Sequence, residues 1–512
     1  MKKGILALLA LLNGTFLIAQ TEFDALKYVQ PDINGTAKYM SMAGTFGALG
    51  GDASAIKDNA ASLGIYRNSE VVGTTNLLMQ KTSADWNNAK GTGNLYKLGF
   101  NNFSVVIALP TKRSQSGTKG LLSSNFSFGY NRLKDFSRSL NIKSQSDTSS
   151  MADYIASFTG NIKKSDLTYT NSYDPFITAN IPWISVLASN GGLITESVNS
   201  VNGKSSWSSI LGNSETVIPS YILTEKGFID EYALSWAGNI NNFIYFGATA
   251  NIQAINYSGI SKYSEVFSKG GGMNLIDTIY TKGNGINFNI GTIICPLKFL
   301  RIGLSVLTPT VYSLKDNYYS KLNDSISTPG GISRYQLKSP LQLNASLAYI
   351  IGTKATISAE YNFSNTTGTQ LMDENGKIQD YAVLNQRMKE KFKNIQTIKI
   401  GAEFYFNDNF SGRAGYANIS NANLPEEEIQ PAKIILSNLR TDTEYFLHKS
   451  TNYITLGFGY HKASWSVDFA YINKTINESF YPYDSNIMAY KAKEAKIITS
   501  NNNLVLSLGY RF

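Results

Sequence analysis

Histidine and cysteine are almost missing from this chain of 512 residues. The single cysteine, Cys295, allows no intrachain disulfide framework and reads as a small apolar strand residue. Two histidines, His448 and His461, leave little for a zinc site or an acid–base relay. No G-x-S-x-G elbow occurs, so a hydrolase nucleophile lacks its usual frame. Charged residues are scarce, at 16%. The net charge is +9, yet Lys and Arg are scattered and form no basic block interleaved with aromatics, which argues against nucleic-acid binding. Beyond the N-terminus no apolar stretch approaches the ~18 residues of a membrane helix. The mean hydropathy is −0.16, which excludes a bundle of such helices.

What the chain has in quantity is aromatic: 31 Tyr and 26 Phe bring that class to 12%. With Gly, Asn and Ser they make a β composition. The N-terminus reads MKKGILALLALLNGTFLIAQ. Lys2 and Lys3 precede the apolar run Ile5–Leu12, and Ala19 supplies a small residue before a cut, so residues 1–19 read as a secretory signal peptide. Leu17 is larger than the residue usual at its place. The mature chain is therefore exported without a helical span, either as a soluble β protein or as a barrel.

Two-residue alternation decides between them. The chain ends on NLVLSLGYRF, with Leu504, Leu506, Leu508, Tyr510 and Phe512 on one face and Val505, Ser507, Gly509 and Arg511 on the other. YITLGFGY and SWSVDFAY repeat the pattern around the short turn His461–Lys462–Ala463. IKIGAEFYF with FSGRAGY, LQLNASLAYI with ATISAEY, INFNIGTII with LRIGLSV, and EYALSWAG with FIYFGATANI form further hairpins. Between hairpins lie the long polar stretches 258–283, 313–338, 365–394, 421–450 and 475–501, read as loops. Short turns alternating with long loops are expected of an outer-membrane barrel. Tyr349, Phe406, Tyr460, Tyr510 and Phe512 all fall at strand ends beside a short turn or the terminus, where an aromatic girdle belongs. Lipid offers no water to backbone groups, so such a sheet must close.

The fold class is thus all-β: a transmembrane antiparallel β-barrel of about 14 strands, with both termini in the periplasm. The expected strands run near 69–79, 95–109, 121–134, 229–238, 243–257, 284–295, 299–312, 339–351, 354–364, 395–406, 409–420, 451–461, 464–474 and 502–512. Residues 20–68 precede the first strand, are rich in small residues, and are expected to plug the lumen; residues 69–512 form the barrel, with an extracellular insertion at about 135–228.

The stretch GTAKYMSMAGTFGALGGDASAIKDNAASLGIYRNSE, Gly35–Glu70, resembles the N-terminal hatch of the FadL-type outer-membrane transporters of long-chain fatty acids and other hydrophobic compounds, in particular their Bacteroidetes branch. Strand count and the terminal Phe512 extend the resemblance over the rest. Family members usually carry Asn-Pro-Ala in the hatch; here it is Asn59-Ala60-Ala61. The resemblance implies passive diffusion past the plug through an internal apolar pocket, with a sideways exit beside a kinked third strand. By position that strand is LLSSNFSFGYNRL, with Gly129 as the candidate kink.

The insertion contains FITANIPWISVLASNGGLI, in which Phe176, Ile181, Trp183, Ile184, Val186 and Leu187 read either as an outer groove for an apolar ligand or as the insertion's own core. Arg301, Glu360, Lys399, Glu403, Arg413, Asp468 and Arg511 fall on the lumen face, as mutually paired filling or as groups that steer a carboxylate. Glu426–Glu428 reads as a solvated acidic run. Passive uptake of hydrophobic small molecules across the bacterial outer membrane is the leading expectation. A binding or adhesion protein acting through its outer loops, such as a haem receptor, is the alternative, although His448 alone is a weak haem signal. No enzyme activity, cofactor, metal site or nucleic-acid partner is expected. The expected partners are hydrophobic small molecules, outer-membrane lipid and lipopolysaccharide, and the barrel-assembly machinery that reads the strand ending in Phe512.

Overall fold

The computed structural model describes residues 20–30, 32–115, 117, 119–178, 180–212, 214–422, 439–483 and 492–512. The expected signal peptide and Glu426–Glu428 lie outside the described residues. The remainder forms a closed antiparallel barrel of 14 strands. In order they are β1 (Glu70–Trp86), β2 (Ala89–Ile107), β3 (Leu121–Asp135), β4 (Val217–Ile240), β5 (Ile244–Phe267), β6 (Gly272–Leu297), β7 (Leu300–Leu307 continued by Val311–Leu322), β8 (Gly331–Lys338 continued by Gln342–Ile351), β9 (Ala355–Ser364), β10 (Ile395–Tyr405), β11 (Phe410–Ser420), β12 (Tyr445–Lys462), β13 (Trp465–Tyr481) and β14 (Ala495–Arg511). Closure comes from β1 on β14, in register from Glu70↔Arg511 to Trp86↔Ala495. Every expected strand is present. Among the described residues no helix is long and apolar enough to cross a membrane.

The faces divide as the alternation requires. Leu506, Leu508, Tyr510 and Phe512 are exposed on the outside, while Val505 and Ser507 are buried in the lumen. The outward apolar band is framed at its lower edge by Trp465, Tyr510, Phe410, Phe406 and Tyr349, and above it β11 to β14 turn outward Asn418, Asn452, Asn473 and Asn502. A sheet whose outer side is apolar and whose backbone is paired all round is built to be solvated by lipid.

One expectation is corrected. The stretches 258–283 and 313–338 are mostly strand, not loop: β5 and β6 run for 24 and 26 residues and join through 268–271. The reason lies in which face is apolar. Within the band β5 turns Phe246, Ala248, Ala250 and Ile252 outward and Thr249, Asn251 and Gln253 inward. Further out the polarity inverts, with Ile255, Tyr257, Tyr263 and Phe267 buried inside and Asn256, Ser258, Lys262 and Ser264 outside. Water surrounds this extension, so its dry side is the inner one.

That inner side packs against a cap formed by the insertion. After Arg138–Lys143, which pairs with β4, the cap holds short helices at Met151–Thr159 and Trp183–Asn190 and the hairpin Ile194–Val198 with Ser205–Ser209. Met151, Ile155, Ile184, Leu187 and Leu193 form one buried core with Tyr221, Tyr263, Phe267, Leu275 and Phe480 of the wall.

The N-terminal segment lies against the lumen face. It contains α1 (Glu22–Val29), α2 (Ala37–Ser41) and the 3-10 turns Ala53–Lys57 and Ala60–Ile65. Thr21 caps α1 through a capping box with Asp24, and Thr36 caps α2. Ala37, Met42, Ala43, Phe46, Ala60, Ala61 and Leu63 are all fully buried.

Candidate functional site

Lumen-facing glycines let the wall approach this segment. Gly247 and Gly291 stand opposite each other on β5 and β6, and Gly401 and Gly415 on β10 and β11. A Cβ at any of these four would overlap the segment, at Ala60, Asn59, Thr45 and Met42 respectively. Wall side chains then bond its backbone. Ser507 Oγ accepts from Ala37 N at 2.7 Å, Ser305 Oγ donates to Asp58 O at 2.6 Å, and Arg301 donates to Leu49 O at 2.6 Å. Asn59 caps the turn Ala60–Ile65 through Ala61 N at 3.0 Å. Its amide also donates to Gly47 O at 2.7 Å and to Thr292 O on β6 at 3.2 Å. Ala60 and Ala61 sit behind it, fully buried. A glycine directly opposite a glycine on neighbouring strands (YFGAT with NIGT, KIGAE with RAGY) is a sequence signal for this close approach that alternation alone passes over.

The lumen charges are paired. Lys399 reaches Glu360 at 2.8 Å, Arg413 lies between Glu403 at 2.7 Å and Asp468 at 2.6 Å, and Arg511 reaches Glu70 at 3.0 Å. His461 stands 3.7 Å from Asp468. These groups fill the interior and hold the segment, as the first of the two sequence readings has it.

Two cavities remain beside the segment, meeting at Asp32 and Ile419. The inner one, about 130 Å³, is bounded by Tyr39, Lys57, Leu133, Ile229, Leu307 and Tyr312. The outer one, about 310 Å³, is lined by apolar Phe23, Leu26, Phe136, Leu223, Tyr257 and Phe446. Several of its charges are paired, Lys27 with Glu225 at 3.2 Å, Arg138 with Glu478 at 2.6 Å, and Arg440 with Asp24 and Asp442, while Lys134 donates to Lys27 O and Asp277 and Glu444 accept from Thr441 and Tyr221. Burial pushes the Asp24 carboxyl up, but Arg440 and Lys27 outweigh it and hold the group below the usual carboxylate range. His448, expected in an outside loop, is instead part of β12, lines this cavity and meets Thr451 Oγ1 at 2.7 Å.

The wall is incomplete next to the outer cavity. β2 and β3 pair only from Asn102↔Asn131 to Ile107↔Phe126. Beyond Asn131 β3 pairs with β4 alone, and β2 from Ala89 to Asn101 pairs with β1 alone. Register shifts in β3 lie at Leu121/Ser123 and Arg132/Lys134. Gly129 stands within the regularly paired run, opposite Ser104 and Ala233. Past Asp135 the chain stays on β4: Phe136 N bonds Gly227 O at 3.0 Å, Arg138–Lys143 pairs with β4 from Glu225 to Ser220, and the Phe136 ring packs on Tyr257 at 5.1 Å. Across the unpaired stretch Lys97 reaches Asp135 at 2.7 Å and Phe100 stacks on Tyr130 at 5.7 Å, while Gly91 and Gly93 of β2 lie so close to the backbone of Ser139, Asn141 and Ile142 that a Cβ would overlap it. The gap begins within the apolar band, since Leu98 is 80% exposed and level with Leu77 and Leu504, and it continues above the band past Tyr96, level with Asn502. Asp135, Phe136 and Ser137 line both this gap and the outer cavity.

The six cap residues singled out in the sequence are placed together but packed. Ile184 and Leu187 belong to the core shared with the wall, and Ile181 and Val186 form a smaller cluster with Leu167. Trp183 donates to Phe176 O at 2.8 Å, with the two rings edge to face. Neither cavity is lined by them. Sequence reading missed Lys97, Asp135 and Phe136, whose roles depend on which strands fail to pair.

No family model matches the sequence, and no curated protein matches it. Solved structures do. A FadL homologue of Pseudomonas aeruginosa superposes with a TM-score of 0.54 at 12% identity, over 94% of this chain and 100% of that one. The toluene transporter TodX of Pseudomonas putida superposes with a TM-score of 0.50, also at 12% identity, over 94% and 100%. The fold is that of FadL-type barrels.

Proposed function

We propose that the protein is a passive channel for hydrophobic small molecules, long-chain fatty acids among them, with the N-terminal segment as its plug. The observation that carries this reading is the gap between β2 and β3, which opens within the apolar band and shares Asp135, Phe136 and Ser137 with the outer cavity. An apolar solute in that cavity is walled in part by Leu26, Phe136, Leu223 and Tyr257. Movement into lipid is downhill for apolar surface, by about 25 cal/mol per Å² removed from water. No cofactor is called for. The cap would form the mouth: cargo meets exposed Tyr169 and Ile177 at its rim, above the packed Phe176–Leu187 region. The strand ending in exposed Phe512 would be the mark by which assembly machinery takes up the chain.

The test is to seal the wall. Lys97→Cys and Asp135→Cys, joined by a short reducible thiol cross-linker, should cut uptake of a labelled fatty acid or monoaromatic hydrocarbon at least ten-fold in cells without other such transporters. Reduction should restore it. Uptake that is indifferent to the cross-link would remove the lateral route.

A further inference from the structure

The strand register forces a row of like charges on the outer face. Lys315 on β7 stands directly opposite Lys282 on β6 and Arg334 on β8. Their chain neighbours Thr281, Leu314, Asp316, Ser333 and Tyr335 are buried toward the lumen, so all three cations point outward. Directly opposed like charges destabilise a sheet. The chain avoids this elsewhere: on β1, Asp85 stands between Lys90 of β2 and Lys496 of β14. Among the described residues none of the three cations forms an ion pair within 4.0 Å. Glu374, which follows Asp373 beside Tyr335, has its backbone carbonyl held by Gln336 and does not pair with Arg334.

The height of the row is informative. Ile286 and Val311, side by side and exposed, end the continuous outward apolar band on β6 and β7. Next comes the uncharged rung Asn284, Ser313 and Gln336, then the cations, and beyond the cations Tyr280 and Ile332 are again turned out. The row stands four residues beyond Ile286. At about 3.3 Å per residue and a tilt near 40°, it lies roughly 10 Å above the band's edge, at the level of lipid headgroups.

We infer that Lys282, Lys315 and Arg334 form a binding site for the phosphate of an outer-leaflet glycolipid. A phosphate offers a charge of about −1.5 to −2 and several acceptor oxygens, and Arg can grip two of them at once. Such a ligand removes the repulsion that the register imposes, and its acyl chains would lie on Ile286 and Val311. This site does not depend on the transport reading, since it faces lipid and touches neither cavity.

The experiment uses the full barrel in detergent, with lipid retention read by native mass spectrometry. Wild type, the triple variant Lys282→Gln/Lys315→Gln/Arg334→Gln, and a control Lys90→Gln/Lys496→Gln would each be titrated with diphosphoryl lipid A. Its dephosphorylated form and inorganic phosphate serve as competitors. Wild type and control should hold the phosphorylated glycolipid at least ten-fold more tightly than the triple variant, and high salt should erase the difference. Equal affinity in all three proteins would overturn the site. So would equal binding of the dephosphorylated lipid, or displacement by inorganic phosphate at equal concentration. If the triple variant fails to fold, Lys315→Gln alone should weaken binding at least three-fold, and unchanged binding would overturn the inference.

Discussion

Arg413 is fully buried, with Glu403 and Asp468 on either side and Ser411 Oγ at 3.0 Å. Removing one member of such a cluster strands the others, so Arg413→Met should cost about 3–5 kcal/mol, measured as a lower urea midpoint for the detergent-folded barrel. Glu265 gives a pH prediction. It lies in the part of β5 above the membrane, is 1% exposed, and accepts from Tyr263 at 2.6 Å and Met151 N at 2.8 Å. Burial pushes its carboxyl up to about 7. A folded pKa above the unfolded one means that the folded state binds more protons, so stability falls as pH rises through that window. Protection of the cap from hydrogen exchange should therefore drop between about pH 4.5 and 7, by up to about 3 kcal/mol. Glu265→Gln should flatten that dependence. At this scale the sequence was readable where a residue acts with its own strand: the faces of Arg301, Glu360 and Arg413 followed from alternation. Lys97 and Asp135 were not readable, because their meeting depends on a gap between strands.

Elements show a similar divide. The membrane parts of all 14 strands were legible, since lipid enforces one apolar face in every one of them. The extensions of β5 to β8 were not, because outside the membrane the apolar face turns inward and the Asn, Ser and Lys of the other face read as loop. The small residues of the N-terminal segment were legible, but not its seat, which needs facing glycines on two pairs of strands. Gly401→Val tests that seat. The added side chain meets Thr45 and Met42, so the segment should be displaced while the wall stays closed. Single-channel conductance in planar bilayers should rise several-fold, with heat-modifiable gel migration retained. Conductance unchanged from wild type would mean that the segment does not obstruct the lumen.

The whole molecule joins an apolar outer surface, an interior cavity and an interruption in the strand pairing beside it. Closure followed from the lack of water in lipid to satisfy an open sheet edge, whereas an interruption beside the third strand was implied by the resemblance alone and its place could not be read from alternation. It arises where the chain past Asn131 stays paired with β4 while β2 from Ala89 to Phe100 pairs with β1 alone. The most direct measurement is photolabelling of the barrel in lipid vesicles with a diazirine-bearing fatty acid, mapped by peptide mass spectrometry. The account predicts adducts on Leu26, Phe136 and Tyr257 inside and on Phe100 and Tyr130 at the gap, all suppressed by excess unlabelled fatty acid. Adducts confined to the lipid-facing band, on residues such as Leu506 and Ile454, with none in the cavity, would contradict it.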